Sequence, residues 1–69
     1  MSRTFTAIIH KEDSFYVAEC SEVGTTSQGT TIEEAVANLK EATALYLEEF
    51  PLKSAAPPIL TTFEIPAYA

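Results

Sequence analysis

The chain has 69 residues, of which ten are Asp or Glu and four are Lys or Arg, for a formal charge of −6. A single domain of that length sits near the lower limit for folding alone, with a core expected to supply no more than ~3–5 kcal/mol. The lone cysteine, Cys20, cannot form an internal disulfide, no Cys/His cluster offers a zinc site, and Arg3, Lys11, Lys40 and Lys53 are too scattered to neutralise nucleic-acid phosphates.

Oligomerisation is therefore the expected route to stability, and an acidic surface would steer a basic partner toward it. No run approaches ~18 apolar residues, and the N-terminus lacks a basic stretch followed by a continuous apolar one. The expectation is a soluble cytoplasmic protein, with which an unpaired thiol is compatible.

Residues 4–10 (TFTAIIH) are rich in β-branched and aromatic types and predict a first strand, with Phe5, Ala7 and Ile9 on one face and Thr4, Thr6, Ile8 and His10 on the other. Lys11, Glu12, Asp13 and Ser14 form a polar hairpin loop, and residues 15–20 (FYVAEC) return as an antiparallel strand. A turn over residues 21–24 and a short third strand over 25–28 lead to Gly29.

Thr31 followed three residues later by Glu34 fits a capping box: the hydroxyl takes one orphan N–H of the helix start and the carboxylate reaches back for another. A helix is predicted over residues 32–50. Ile32, Ala35, Val36, Leu39, Ala42, Tyr46 and Phe50 form its apolar stripe, and Leu45 and Leu47 widen it. Pro51 stops it. A connector over residues 52–58, stiffened by Pro57 and Pro58, precedes a last predicted strand over 59–65, in which Ile59, Thr61, Phe63 and Ile65 share a face.

The order is βββαβ, an α+β fold in one domain spanning residues 1–69, with a small antiparallel sheet and one long helix packed on one face. A single helix leaves the other sheet face bare. That face carries Ile8 together with either Phe15 and Val17 or Tyr16 and Ala18, depending on register. Exposed apolar patches and unpaired strand edges are adhesive, so a homodimer or higher oligomer through the sheet face or edge is expected.

With these elements placed, the segments Tyr16-Val17-Ala18-Glu19-Cys20, Ser27-Gln28-Gly29 and Ala37-Asn38-Leu39-Lys40-Glu41-Ala42 resemble the HicB antitoxin family. Members carry an aromatic-rich "YVAxCPE" strand and an "SQG-T-EEA-ANLKEA-LYLEE" helix, and the similarity covers nearly the whole chain. It implies a truncated ribonuclease-H-like domain of the HicB N-terminal type. It also implies a role in binding and neutralising a small basic, mRNA-cleaving HicA-type toxin by occlusion. Ser21 stands where the family commonly has proline. Longer members append a DNA-binding domain, and this chain resembles a short form without one, so the operon autorepression inferred for the longer members does not carry over to it from the resemblance.

The candidate sites argue for binding over catalysis. A two-metal nuclease needs several converging carboxylates, whereas the strands offer Glu19 and Glu64, with Glu12 and Asp13 in a loop. His10 has no nucleophile or orienting acid at a telling spacing, and Cys20 reads as structural. No catalytic, cofactor or metal site is expected. Glu48 and Glu49 occupy the last helical turn, where the macrodipole disfavours anions. With Glu41 they are the residues expected to touch a cationic toxin, the alternative being that they are simply solvated. A reading from another class is an orphan oligomeric scaffold or small-molecule-binding regulatory module without a toxin. Direct RNA binding through sheet aromatics is disfavoured by charge.

Overall fold

A computed structural model describes residues 3–52 and 58–67. Three strands, β1 (Ala7–Glu12), β2 (Phe15–Cys20) and β3 (Thr26–Gly29), precede one helix, α1 (Ile32–Glu49). The sheet is antiparallel in the order β1-β2-β3, and α1 packs on β2 and β3. The architecture is α+β.

β1 starts later and runs further than the predicted 4–10. The hairpin turn is only Asp13-Ser14, because Glu12 still pairs with Phe15 and Lys11 with Tyr16. Asp13 makes this possible by adopting a positive φ of 40°, a region that Asp tolerates better than most residues. At the other end the ladder is closed by a side chain. Ser21 N–H donates to the Thr6 carbonyl at 3.0 Å, but Thr6 N–H is taken by Glu22 Oε1 at 2.8 Å. Gly24, at φ 92°, turns the chain into β3, with its N–H donating to the Cys20 carbonyl at 2.8 Å.

The helix begins where the capping pattern places it. Thr31 Oγ1 accepts from Glu34 N–H at 3.0 Å. The return arm differs from the reciprocal box: Glu34 Oε1 accepts the N–H of Thr30, one residue earlier than Thr31, at 2.6 Å, and the Thr30 hydroxyl at 3.2 Å. At the far end, Phe50 caps α1, donating its N–H to the Tyr46 carbonyl at 2.9 Å, and its ring lies 4.9 Å from that of Tyr46.

The core is small. Its buried apolar residues are Ala18, Cys20, Ala35 and Leu39, with Phe5, Ile9, Tyr16 and Val23 packed around them. Thr43 is buried with them, its hydroxyl 2.6 Å from that of Thr25. The buried line of α1 is thus Ala35, Leu39 and Thr43. Ile32, Tyr46 and Phe50, expected in the apolar stripe, continue that line beyond its two ends, where no strand among the described residues covers them, and Val36 stands to one side; all four are exposed. Leu45 is a correction: at 100° per residue it falls ~120° round the helix from Leu39, and it is 58 % exposed.

The predicted βββαβ order is also corrected. Among the described residues there is no fourth strand: residues 58–67 carry no regular secondary structure. Ile59 is 93 %, Phe63 82 % and Ile65 72 % exposed. The alternation there is right for a strand, but a strand exists only when its backbone groups meet a neighbour, and among the described residues no strand pairs with it. The body is correspondingly extended, with a radius of gyration of 14.4 Å, against about 11 Å for a compact domain of this length. Most of the proline connector, residues 53–57, lies outside the described residues.

Candidate functional site

Three surfaces remain open once the core is built. The first is the solvent face of α1. Successive residues turn by 100°, so positions seven apart nearly coincide, and Glu34, Glu41 and Glu48 form one line down the helix. Glu49 stands on its flank. Of the three glutamates expected to bind a partner, Glu41 and Glu48 therefore share a stripe, and Leu45 lies between them, one turn from Glu41, Glu48 and Glu49. The last turn holds no basic residue, so nothing on the helix itself neutralises Glu48 and Glu49. The arrangement is an exposed apolar side chain ringed by carboxylates.

Sequence reasoning missed Leu45 because it assigned every leucine of α1 to the core. A helical wheel started at the Thr31 cap separates it from Leu39 by about two-thirds of a half-turn, ~120°. That signal was present.

The second surface is the bare face of the sheet. The register resolves the open alternative: Tyr16, Ala18 and Cys20 turn toward the helix, leaving Phe15 and Val17 with Ile8 outside. These apolar groups are interleaved with polar and charged ones, since Ile8 pairs with Glu19, Val17 with His10 and Phe15 with Glu12. Phe15 and Val17 are already half-buried. The outer face is a chequer of apolar and polar groups, less adhesive than a continuous patch.

The third is a groove beside β1. Because α1 covers β2 and β3, the sheet's β1 side is left uncovered, and a cleft of ≈ 390 Å³ opens between Phe5 and Ala7 on one wall and Val36, Leu39, Ala44 and Leu47 on the other. Arg3 and Lys40 stand at its rim, and the Arg3 guanidinium lies 5.7 Å from the centre of the Phe5 ring.

The groups considered for catalysis stay apart. His10 is exposed on the outer sheet face, opposite Val17. Cys20 is buried, with Sγ donating to Glu22 Oε1 at 3.7 Å. Among the described residues no three His, Cys, Asp or Glu side chains come together as a metal site would require. Glu22 is held instead by Thr6: the backbone N–H and, at 2.9 Å, the hydroxyl donate to its two carboxylate oxygens. The Thr6 N–H chiefly, opposed by the cost of burial and then helped by the Thr6 hydroxyl, the Glu22 backbone and the Cys20 thiol, holds the carboxyl below the ordinary glutamate range. Sixteen positions separate the two residues, so no local pattern announces this contact. No helix among the described residues is long and apolar enough to cross a membrane.

Comparison with known proteins finds no matching family, no matching curated protein and no matching solved structure.

Proposed function

We propose that this chain is a HicB-like antitoxin domain of the short, truncated ribonuclease-H-like type. It acts in the cytoplasm, without catalysis, as a homo-oligomer that neutralises a small basic mRNA-cleaving toxin by covering its RNA-binding surface. The observation that carries the reading is the solvent face of α1: Leu45, 58 % exposed, ringed by Glu41, Glu48 and Glu49. An apolar centre with a charged rim is the anatomy of a protein-binding patch. A rim of one sign selects a partner of the other, speeding encounter and rejecting acidic competitors. A net charge of −6 extends that steering over the whole chain. The sequence resemblance independently supplies the class of partner.

Self-association belongs to the same reading. The fully buried apolar groups are two alanines, a cysteine and a nearly buried leucine, while Ile59, Leu60, Phe63 and Ile65 are exposed. A domain with so little enclosed apolar volume gains most from burying more in an assembly.

The test is co-expression with the product of the adjacent open reading frame, scored as rescue of growth. Rescue is expected, with loss of rescue in Leu45→Asp. In the Glu41→Gln, Glu48→Gln, Glu49→Gln triple variant, slower association and a flatter salt dependence are expected. Absence of rescue, or rescue indifferent to all four changes, refutes the assignment. The groove favours one second reading, a small-molecule-binding module, because ≈ 390 Å³ falls within the range of ligand pockets.

A further inference from the structure

We propose that residues 59–65 of one chain form a fourth strand along the open edge of β1 in a second copy. The second copy returns the same segment, giving a strand-exchanged dimer. This deepens the self-association in the proposed function and rests on that part alone, not on the toxin. The argument begins with the two edges of the sheet. At β3 the edge is occupied: α1 packs over the strand, and Asn38 Nδ2 donates to the Gln28 carbonyl at 2.8 Å. At β1 it is open. The Thr6 carbonyl faces β2, where it accepts from Ser21, and ladder groups alternate sides along a strand. The N–H and C=O groups of Phe5, Ala7, Ile9 and Lys11 therefore point outward, a template for another strand.

The open edge is seven residues long, from Phe5 to Lys11, and residues 59–65 are also seven, about 23 Å when extended. Their side-chain alternation matches what the edge requires. Ile59, Thr61, Phe63 and Ile65 fall on one face, and a strand laid beside β1 with that face toward α1 would set them into the groove walled by Phe5, Ala7, Val36, Ala44 and Leu47. A template and its complement thus occur in one chain, both unfilled: Ile59 is 93 % and Phe63 82 % exposed.

The second copy is the occupant because the chain's own segment stands clear of the groove. Residues 59–65 do not line the groove, and the side chains of Ile59, Leu60, Phe63 and Ile65 are exposed, so the complement is free to pair with the edge of another copy. The bare face of the sheet is the weaker contact, since polar His10 and the carboxylates of Glu12 and Glu19 interrupt it.

The full chain is examined at micromolar concentration by sedimentation, and by isotope-filtered NMR on an equal mixture of ¹³C-labelled and unlabelled chains. A dimer is expected, with contacts between the Phe63 ring of one chain and the Leu47 and Ala7 methyl groups of the other. Phe63→Asp is expected to weaken dimerisation on the order of 100-fold or more, from the loss of two buried aromatic side chains, one from each chain, while the helical circular dichroism persists. A monomer overturns the proposal, and so does a dimer lacking those contacts or showing them only within one chain. None of these outcomes bears on toxin neutralisation, which growth rescue reads separately.

Discussion

Gly29 tests how α1 is held against the sheet. Its φ lies outside the left-handed region that Gly24 occupies, so backbone conformation does not require glycine there. Space does. A Cβ added at Gly29 would stand 2.6 Å from the backbone nitrogen of Ala35 and 2.8 Å from both Cβ and Cγ of Glu34. The Glu34 Cγ can swing aside, but its Cβ is fixed by the backbone, and the Ala35 nitrogen, whose N–H donates to the Thr31 carbonyl at 3.0 Å, belongs to the first turn of the helix. Relief therefore demands that β3 and α1 separate.

Alanine would gain about 0.5–1 kcal/mol from reduced chain entropy, and overpacking against backbone costs typically 1–3 kcal/mol or more. The net should be a loss of about 1–2 kcal/mol. Stability for 69 residues is expected at about 3–10 kcal/mol, so this is a large share of it. At ~4–8 °C per kcal/mol for a domain this size, Gly29→Ala should lower the Tm by on the order of 10 °C, measured at fixed protein concentration because assembly would add its own term. The Gly29→Ala, Glu34→Ala double variant should not recover, since the contact with the Ala35 nitrogen persists. A variant as stable as the parent would show that the close approach of β3 to the helix start is not a real constraint.

Other substitutions probe the remaining contacts. Thr31→Ala removes the acceptor for Glu34 N–H and should cost about 1 kcal/mol, read as a lower urea midpoint at unchanged slope. Leu39→Ala empties the largest side chain of the buried line and should cost ~2–5 kcal/mol, enough to abolish a cooperative thermal transition. Glu22→Gln tests the Thr6 contact by pH. Because the Glu22 carboxyl is lowered when folded, its contribution is complete above the ordinary value of about 4.3 and is lost as pH falls through the lower folded value. Urea midpoints of the parent should therefore fall more steeply below about pH 4 than those of the variant; parallel curves would show that the carboxylate contributes nothing.

Local signals carried much of the fold. The β2 bounds, residues 15–20, and the first helical residue, Ile32, lie where alternation and the cap place them, because each is decided by chemistry within a few residues. The hairpin was harder: a four-residue polar run looks like a loop, yet Lys11 and Glu12 remain in the ladder because Asp13 accepts a positive φ. Thr43 is the counterpart in the helix. A hydroxyl reads as surface, and its burial depends on Thr25, eighteen positions away. Of the candidate site, Glu41 and Glu48 were legible as exposed carboxylates. Leu45 needed its angle on the helix, not its hydrophobicity.

The segment 59–65 shows where such reasoning stops for a physical cause. Alternation reports that a stretch can present an apolar face, and nothing more, because strand pairing is a contact between distant residues whose partner the pattern does not name. The same seven residues could complete their own sheet, complete another chain's, or remain solvated. The energetic difference between these states lies in the groove and the β1 edge, not in the segment. A core built on Ala18, Cys20, Ala35 and Leu39 leaves those features open, so the smallness of the side chains inside is what makes the apolar side chains outside consequential. Enlarging the core without closing the edge would leave the drive to pair intact, whereas a charge at Phe63 would remove it while sparing every buried contact of the helix.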